Sequence, residues 1–499
     1  MTEYGKSTPR TSMSERPTLI VIGGGIAGLA AAHRLRERSP HAWVVVLESA
    51  DRLGGLLHTH REGGFVMEEA AENFLAQVPW AMDLCQRVGL GEGLLSTDPA
   101  TRGALVVHRG RLKPIPPGFA LLAPTRVWPI VTSGSLSLRG KLRLAIEPFI
   151  AAGNNDSDES IASFVRRRLG NEVYDRLVEP LVGSIYGANP AELSMAAVLP
   201  QFAQMERKHG SLWRAQRKAN AGRRKRSGDR RPPDPFAAPR EGMSSLIDAL
   251  TVRMGEGAIQ LRSPVTQLQQ DSDGRWTVIV GGENPRRIVA DGVVLASPAR
   301  VSSRLLCDFD AALADALSQI AYRDVTLVAL GYHRDQIAHP LDSHGIVIPS
   351  REERRLLSVS FSSIKYGDRA PQGTVLLRAS LRQDDQRLAK LDDDQLREVV
   401  TAELAQLLRI RGCPIFCRVV RRSQAMPIYR IGHSDRLACI RRLVAKHPRL
   451  ALAGAAYGGS GVPYCIRSGE QAADEILSQL SAPYGGQQRR QREEPILPV

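Results

Sequence analysis

Thr18-Leu19-Ile20-Val21-Ile22-Gly23-Gly24-Gly25-Ile26-Ala27-Gly28-Leu29 decides the fold of this chain. Residues 17–22 are an apolar run that stops at a glycine turn, the pattern of a strand buried on both faces. Residues 26–38 then carry Ile26, Leu29, Ala30, Ala32 and Leu35 at helical spacing. Residues 43–47 are a second buried strand, ending at Glu48. Strand, glycine turn, helix and strand make a βαβ unit. Within the turn, Gly23-x-Gly25-x-x-Gly28 has the spacing of a dinucleotide fingerprint. Gly23 permits the tight turn, Gly25 lets the backbone approach a pyrophosphate, and Gly28 lets helix and strand pack closely. The helix N-terminus offers unpaired N–H groups and the positive end of its dipole to phosphate. Glu48 stands where a carboxylate accepts ribose hydroxyls.

The remaining 450 or so residues read outward from this unit, in a chain too long for one small core. Hydrophobic content of 43% with 24% charged residues is that of a globular protein. Six scattered cysteines read as reduced thiols, and Cys413-x-x-x-Cys417 has no second pair to complete a zinc site. No run of 18 apolar residues and no signal peptide is visible, so a spanning helix is not expected. The net charge of +15 comes mostly from arginine, since only nine of the 67 basic residues are lysine. It fits anionic substrates or anionic lipid surfaces, and no nucleic-acid module accompanies it.

Further along, helical runs are expected at 166–169 and at 173–182, the second interrupted by Pro180. Residues 214–231 hold nine basic residues and one acid and read as an exposed loop. A helix is expected at 243–250. Strands follow at 258–280 and 288–296 around the turns Asp273-Gly274 and Gly281-Gly282, then at 325–332, 345–349, 356–361 and 374–380. Residues 392–408 read as a helix, 450–453 as a last buried strand and 468–480 as a last helix. The chain thus closes, as it opens, on strand, glycine-rich turn and helix, and its two ends are expected to share one domain.

Directly after Glu48, Ser49-Ala50-Asp51-Arg52-Leu53-Gly54-Gly55 resembles the second FAD motif of the amine oxidase and phytoene desaturase superfamily. The resemblance implies FAD rather than NAD, with Arg52 and the glycine pair against the diphosphate and ribityl region. Leu450 to Val462, through Gly454 and Gly458-Gly459-Ser460-Gly461, resembles the superfamily segment that brings backbone amides to the flavin. Several middle segments resemble the oxygen-dependent protoporphyrinogen oxidase family more narrowly. Val178-Glu-Pro-Leu-Val-Gly-Ser-Ile-Tyr186, Pro190 to Ser194 and Pro200-Gln-Phe202 match its "EPL…GIYAGDP..LS…..PQF". His344 to Pro349, Arg369 to Gly373, Ala425 to His433 and Cys465 to Gly469 match further motifs of that family in order.

That resemblance implies a fold of mixed α/β and α+β class: an FAD-binding Rossmann-like domain, an inserted substrate-binding domain and a mostly helical lid or membrane-facing region. The FAD domain is expected from residues 17–85, 236–305 and 431–481, a helical substrate region from 86–210, a basic loop or linker at 211–235 and a substrate-binding sheet at 306–430, with tails at 1–16 and 482–499. Cofactor contacts are implied at Gly23, Gly24, Gly25, Ile26, Ala27 and Gly28, then at Glu48, Ser49, Arg52, Gly55 and Leu56. Others are implied at Ala70, Ala71, Glu72 and Asn73, at Val265, and at Gly454, Ser460, Gly461 and Val462. Ala70 to Leu75 departs from the family's "GPDSFL", Arg378 falls in a segment where a Gly-Gly pair is usual, and Tyr464 replaces the Asp before Cys465.

The implied reaction removes six electrons from protoporphyrinogen IX in three two-electron steps, with FAD as acceptor and O2 returned as hydrogen peroxide. No catalytic metal or triad is expected, because the flavin takes the hydride while the protein binds, orients and shields. Arg102 is the candidate propionate clamp, and His433 and Tyr429 are read as wall rather than catalyst. Coproporphyrinogen III is the alternative substrate. A non-catalytic FAD-binding protein and an amine oxidase-like or carotenoid-desaturating enzyme are more distant readings. A cytoplasmic monomer or homodimer is expected, with contact to the inner face of the membrane or to a neighbouring haem-pathway enzyme left open. Leu121, Val127, Trp128, Ile130, Leu144, Ile146 and Phe149 are candidates for an apolar patch or a pocket lid.

Overall fold

The structure is a computed structural model that describes residues 16–116, 119–120, 122–124, 134–153, 158–227 and 234–481. The strand Thr18–Ile22 lies at the centre of a five-stranded parallel sheet. Trp43–Leu47 flanks it on one side and Gly292–Leu295 on the other, with Ile259–Gln260 and Leu450–Leu452 at the two edges. A strand buried on both faces needs apolar side chains at every position, and here they divide by alternation. Leu19, Val21, Val44 and Val46 pack under the helices Ile26–Arg38, Ser244–Met254 and Val462–Ser481. Ile20, Ile22, Val45 and Leu47 pack on the other face against an antiparallel sheet around Trp276 and the helices Ala299–Leu306 and Ala311–Ser318.

The second sheet has seven strands, in the order Phe416–Pro427, Tyr322–His333, Thr374–Leu381, Leu356–Phe361, Gly345–Val347, Leu105–His108, Arg111–Pro114. Its last two strands come from early in the chain, and Leu105–His108 joins Gly345–Val347 in parallel. One face is sealed by the helix Asp393–Leu408, whose first turn is closed by a reciprocal Asp392–Gln395 capping box. The opposite face meets the hairpin Thr59–Glu62 and Phe65–Glu68. A third layer of short helices covers the rest, built on Phe164, Val165, Leu177, Val182 and Phe202.

Several expected elements change. The basic run is helical over Leu212–Ser227 rather than a loop. Leu212 and Ala215 are buried against the helical layer, and the Ser211 hydroxyl accepts from the Trp213 and Arg214 amides to start the helix. Residues 228–233 lie outside the described residues. Pro180 does not interrupt a helix. The helical run continues through it from Asn171–Val173 to Glu179–Tyr186, with a π-helical turn at Tyr174–Val178 directly ahead of the proline. The final helix starts at Val462, not 468, so Cys465 and Gly469 lie inside it. Leu121, Val127, Trp128 and Ile130 fall outside the described residues. All six cysteines are unpaired, and burial pushes the Cys465 thiol up to about 12. Among the described residues no helix is long and apolar enough to cross a membrane.

Candidate functional site: a flavin cradle and the face beside it

Two helix N-termini and one carboxylate converge at the carboxyl ends of the parallel strands, where open α/β sheets bind ligands. Gly23 has φ +111°, and a Cβ there would lie 2.9 Å from the Ala296 carbonyl oxygen. Gly28 passes so close to the first strand's turn that a Cβ would meet the Gly23 oxygen at 1.9 Å. At Gly25, in contrast, a Cβ would meet nothing within 4 Å. The first and third glycines are therefore required by packing, while the second faces open space of the kind a diphosphate fills. Ile26 and Ala27 open the helix and are buried beneath it.

Glu48 accepts from the Gly24 amide at 2.7 Å and, through its other oxygen, from the Ala50 amide at 2.8 Å and the Ser49 hydroxyl at 3.2 Å. It is fixed at the lip of the turn, where ribose hydroxyls would add to these donors. The 52–57 loop closes on the same turn. The Gly54 amide donates to Gly24 O at 2.9 Å, Gly55 lies against Gly25, and Arg52 donates to the Gly55 carbonyl at 2.8 Å. Leu56 stays 40% exposed beside it. Val265 begins the strand next to Ser263, whose amide donates to Glu48 O at 2.8 Å, so it borders the carboxylate's side of the cradle. At the far side Gly454 takes φ +128° with open space before it, and Ser460 and Gly461 lead into the helix at Val462. The two helices are locked at Gly469, where a Cβ would lie 2.0 Å from Ala27 O. These features fit an FAD.

The segment Ala70-Ala71-Glu72-Asn73, which departs from the family pattern, holds this cradle to the seven-stranded sheet. Arg378 donates to Ala70 O. Glu72 is buried among the Ser360 hydroxyl at 2.6 Å, the Lys365 ammonium at 3.1 Å, the Ser362 hydroxyl and the Arg378 guanidinium at 3.9 Å. Burial alone would raise its carboxyl, but Lys365, Arg378 and the two hydroxyls hold it well below the usual carboxylate range. Next to it Glu69 is paired with Arg418 at 2.8 Å, with His58 at 3.2 Å and with Arg422. Sequence reading reached Glu72 but not its partners, because strands and a short helix far along the chain supply them.

Aromatic side chains wall the loop at 454–464. Tyr429 donates to Ala455 O at 2.7 Å, and its ring lies 4.8 Å from that of His433. Burial drives His433 down to about 4, so the ring is neutral, with Nε2 3.2 Å from Ala456 O. Burial also pushes the Tyr186 phenol up to about 12 and Tyr429 well above its ordinary value. Neither phenol ionises near neutral pH, in keeping with the reading of Tyr429 as wall. Arg323, unmarked in the sequence reading, is driven by burial down to about 10 and donates to Gly187 O. Arg102 is half-exposed, with its guanidinium 3.1 Å from Asp234, which also accepts from the Thr97 amide at 2.7 Å.

The cradle and the family comparisons point to one class. The chain belongs to the family of flavin containing amine oxidoreductases, whose model matches residues 26–477, and it is an FAD-dependent oxidoreductase. Among curated relatives it is 34% identical to coproporphyrinogen III oxidase of Propionibacterium freudenreichii, over 94% of each chain. It is 27% identical to the mitochondrial protoporphyrinogen oxidase of Nicotiana tabacum, over 94% of this chain and 96% of that one. A crystal structure of a putative protoporphyrinogen oxidase from Exiguobacterium superposes with a TM-score of 0.81 at 28% identity, covering 94% of this chain and all of that one.

Proposed function

We propose that this protein oxidises a porphyrinogen to the corresponding porphyrin with O2 as terminal acceptor, and that coproporphyrinogen III is its preferred substrate. The end-to-end identity of 34% with a bacterial coproporphyrinogen III oxidase carries this reading. It reverses the order in which the sequence alone ranked protoporphyrinogen IX and coproporphyrinogen III. Bound FAD would accept the hydrides and pass their electrons to O2 as hydrogen peroxide.

The chain's own residues then have binding and positioning roles. Gly25, Glu48 and the two helix N-termini would hold the dinucleotide. Glu72, Lys365 and Arg378 tie the segment at 70–73 to the sheet face. The neutral His433, Tyr429 and Tyr186 exclude water without supplying charge. Arg102 remains the proposed clamp for a propionate, with Asp234 fixing its orientation.

We also propose peripheral contact with an anionic membrane. The helix Leu138–Ala145 and the turn after it expose Leu138 (75%), Leu142 (61%), Ile146 (50%) and Phe149 (83%) beside Arg139 and Lys141. Apolar side chains flanked by cations suit a shallow interfacial site.

The deciding experiment offers the purified holoenzyme coproporphyrinogen III and protoporphyrinogen IX side by side in air, following porphyrin fluorescence and peroxide together. Faster enzymatic oxidation of coproporphyrinogen III, with peroxide in step, is the expected result. No rate above the spontaneous background with either substrate would overturn the reading.

A further inference from the structure

We propose that a small cleft at the outer edge of the seven-stranded sheet is a carboxylate-binding subsite, which takes a propionate on the side of the porphyrinogen away from the flavin. The inference rests on the porphyrinogen reading above. The cleft is lined by His108, Lys113, Arg176 and Arg351, with Val106 and Pro349 behind them.

Charge in this cleft is unbalanced. Among the described residues, Glu172 is the one carboxylate paired with a lining cation, and it goes to Arg176 at 2.5 Å. Lys113 donates to a neutral carbonyl, Gly134 O, at 3.1 Å. Arg351 is exposed, makes no hydrogen bond among the described residues, and feels Glu172 only at longer range. Arg176 donates to Ser135 O at 2.9 Å, while its Nε is buried with no hydrogen-bond partner among the described residues. The nearby Glu352 is occupied by the Arg109 and Gly110 amides at 2.8 and 3.0 Å. Burial, then Arg176 and Lys113, hold His108 below its ordinary value, so a neutral ring adds a donor without adding charge. Three cations against Glu172 and the nearby Glu352 leave one positive charge over, enough for one more anion, and a planar carboxylate matches guanidinium and ammonium donors at this scale.

Strand register puts the cleft on the substrate side. Lys113 pairs with Val106, Val106 with Val347, Val347 with Ser358 and Ser358 with Ser380, so these side chains share one face. Ser360 and Arg378, which hold Glu72 and Ala70, pair in the adjoining row of that same face. Four strand spacings separate Lys113 from Ser380, about 19 Å. The cleft is therefore remote from the flavin-side segment, within reach of a side arm rather than of a reacting ring carbon. Glu179 of the helix Glu179–Tyr186 fixes the turn that carries Arg351 by accepting from the Ser350 amide at 3.1 Å.

The subsite discriminates between substrates. Coproporphyrinogen III carries a propionate on all four pyrroles, whereas protoporphyrinogen IX has vinyl groups on two of them. The test uses holoenzyme with Lys113→Met, Arg351→Gln and both together, since neither residue belongs to the flavin cradle or to a buried ion pair. Both porphyrinogens are assayed, and coproporphyrin III binding is titrated by fluorescence quenching. The double variant should raise KM for coproporphyrinogen III, and the dissociation constant of coproporphyrin III, about tenfold, with kcat within about twofold and the protoporphyrinogen IX KM within about threefold. Unchanged coproporphyrin binding, or equal losses with both substrates, would overturn the subsite. Wild-type enzyme inactive with both would instead sink the porphyrinogen reading itself.

Discussion

Replacing Gly469 with alanine sets two known effects against each other. Gly469 lies inside the helix Val462–Ser481, where alanine should add about 1 kcal/mol through helix propensity alone. The new methyl, however, would sit 2.0 Å from Ala27 O and 3.0 Å from Ala31 N, both backbone atoms of the helix Ile26–Arg38. Backbone cannot turn aside as a side chain does, so the two helices must separate by about an ångström, at a typical overpacking cost of 1–3 kcal/mol or more. We expect Gly469→Ala to be net destabilising by about 1–2 kcal/mol and to weaken FAD retention, because these helices present the two N-termini of the cradle. Gly183, also helical, is the internal control. A Cβ there would meet Leu357 Cδ1 at 3.8 Å, an ordinary contact, so Gly183→Ala should melt at or above wild type. The assay is thermal melting of holoenzyme by circular dichroism, with flavin release followed by fluorescence. A Gly469→Ala protein that melts at or above wild type with full flavin would refute the packing argument.

Three further outcomes are expected. Glu72→Gln keeps the shape but leaves Lys365 and Arg378 without their buried counter-charge, and should cost about 3–5 kcal/mol in melting experiments; Glu72→Asp should recover part of it. Burial raises the Glu68 carboxyl to about 7, against the opposing pull of the Met243 amide and the Thr59 hydroxyl that donate to it. Its folded value exceeds its unfolded one, so its contribution is full below about pH 4 and is lost as pH rises through 7, on the order of 3 kcal/mol. Stability measured against pH should fall across that window in wild type and less so in Glu68→Gln. Finally, wild type should float with anionic vesicles, and Leu142→Glu with Phe149→Glu should abolish flotation without changing turnover of soluble substrate.

The flavin cradle was legible because its determinants are local. Gly23, Gly25, Gly28 and Glu48 lie within one βαβ unit, and their spacing carries the chemistry. The central strand and its two faces followed from the apolar run at 17–22 for the same reason. What could not be read depends on pairing between distant segments. Nothing in residues 105–114 announces that they complete a sheet begun after residue 320, because strand pairing leaves no mark on either partner alone. Glu72 was read as a cofactor contact from its place in the chain, but Ser360 and Arg378 reach it only through sheet register, and Lys365 from the short helix Ser362–Lys365. The basic helix failed for another reason. Its charge suggested a solvated loop, while the two buried positions and the Ser211 cap that make it helical are outnumbered by arginines.

The central place of Thr18–Ile22 bears on how the chain is made. That strand leaves the ribosome well before its neighbour Gly292–Leu295, whose own outer neighbour is Leu450–Leu452. At about 5–20 residues per second, tens of seconds separate the first strand from the last. Through that interval Ile26–Arg38 lacks Val462–Ser481, the helix it packs against most extensively. The nascent βαβ unit therefore carries an uncovered apolar face until Val462–Ser481 has been made. A chaperone that shields such a face, or free FAD that captures the sheet once closed, would set the yield of active protein more than the intrinsic stability of the finished fold.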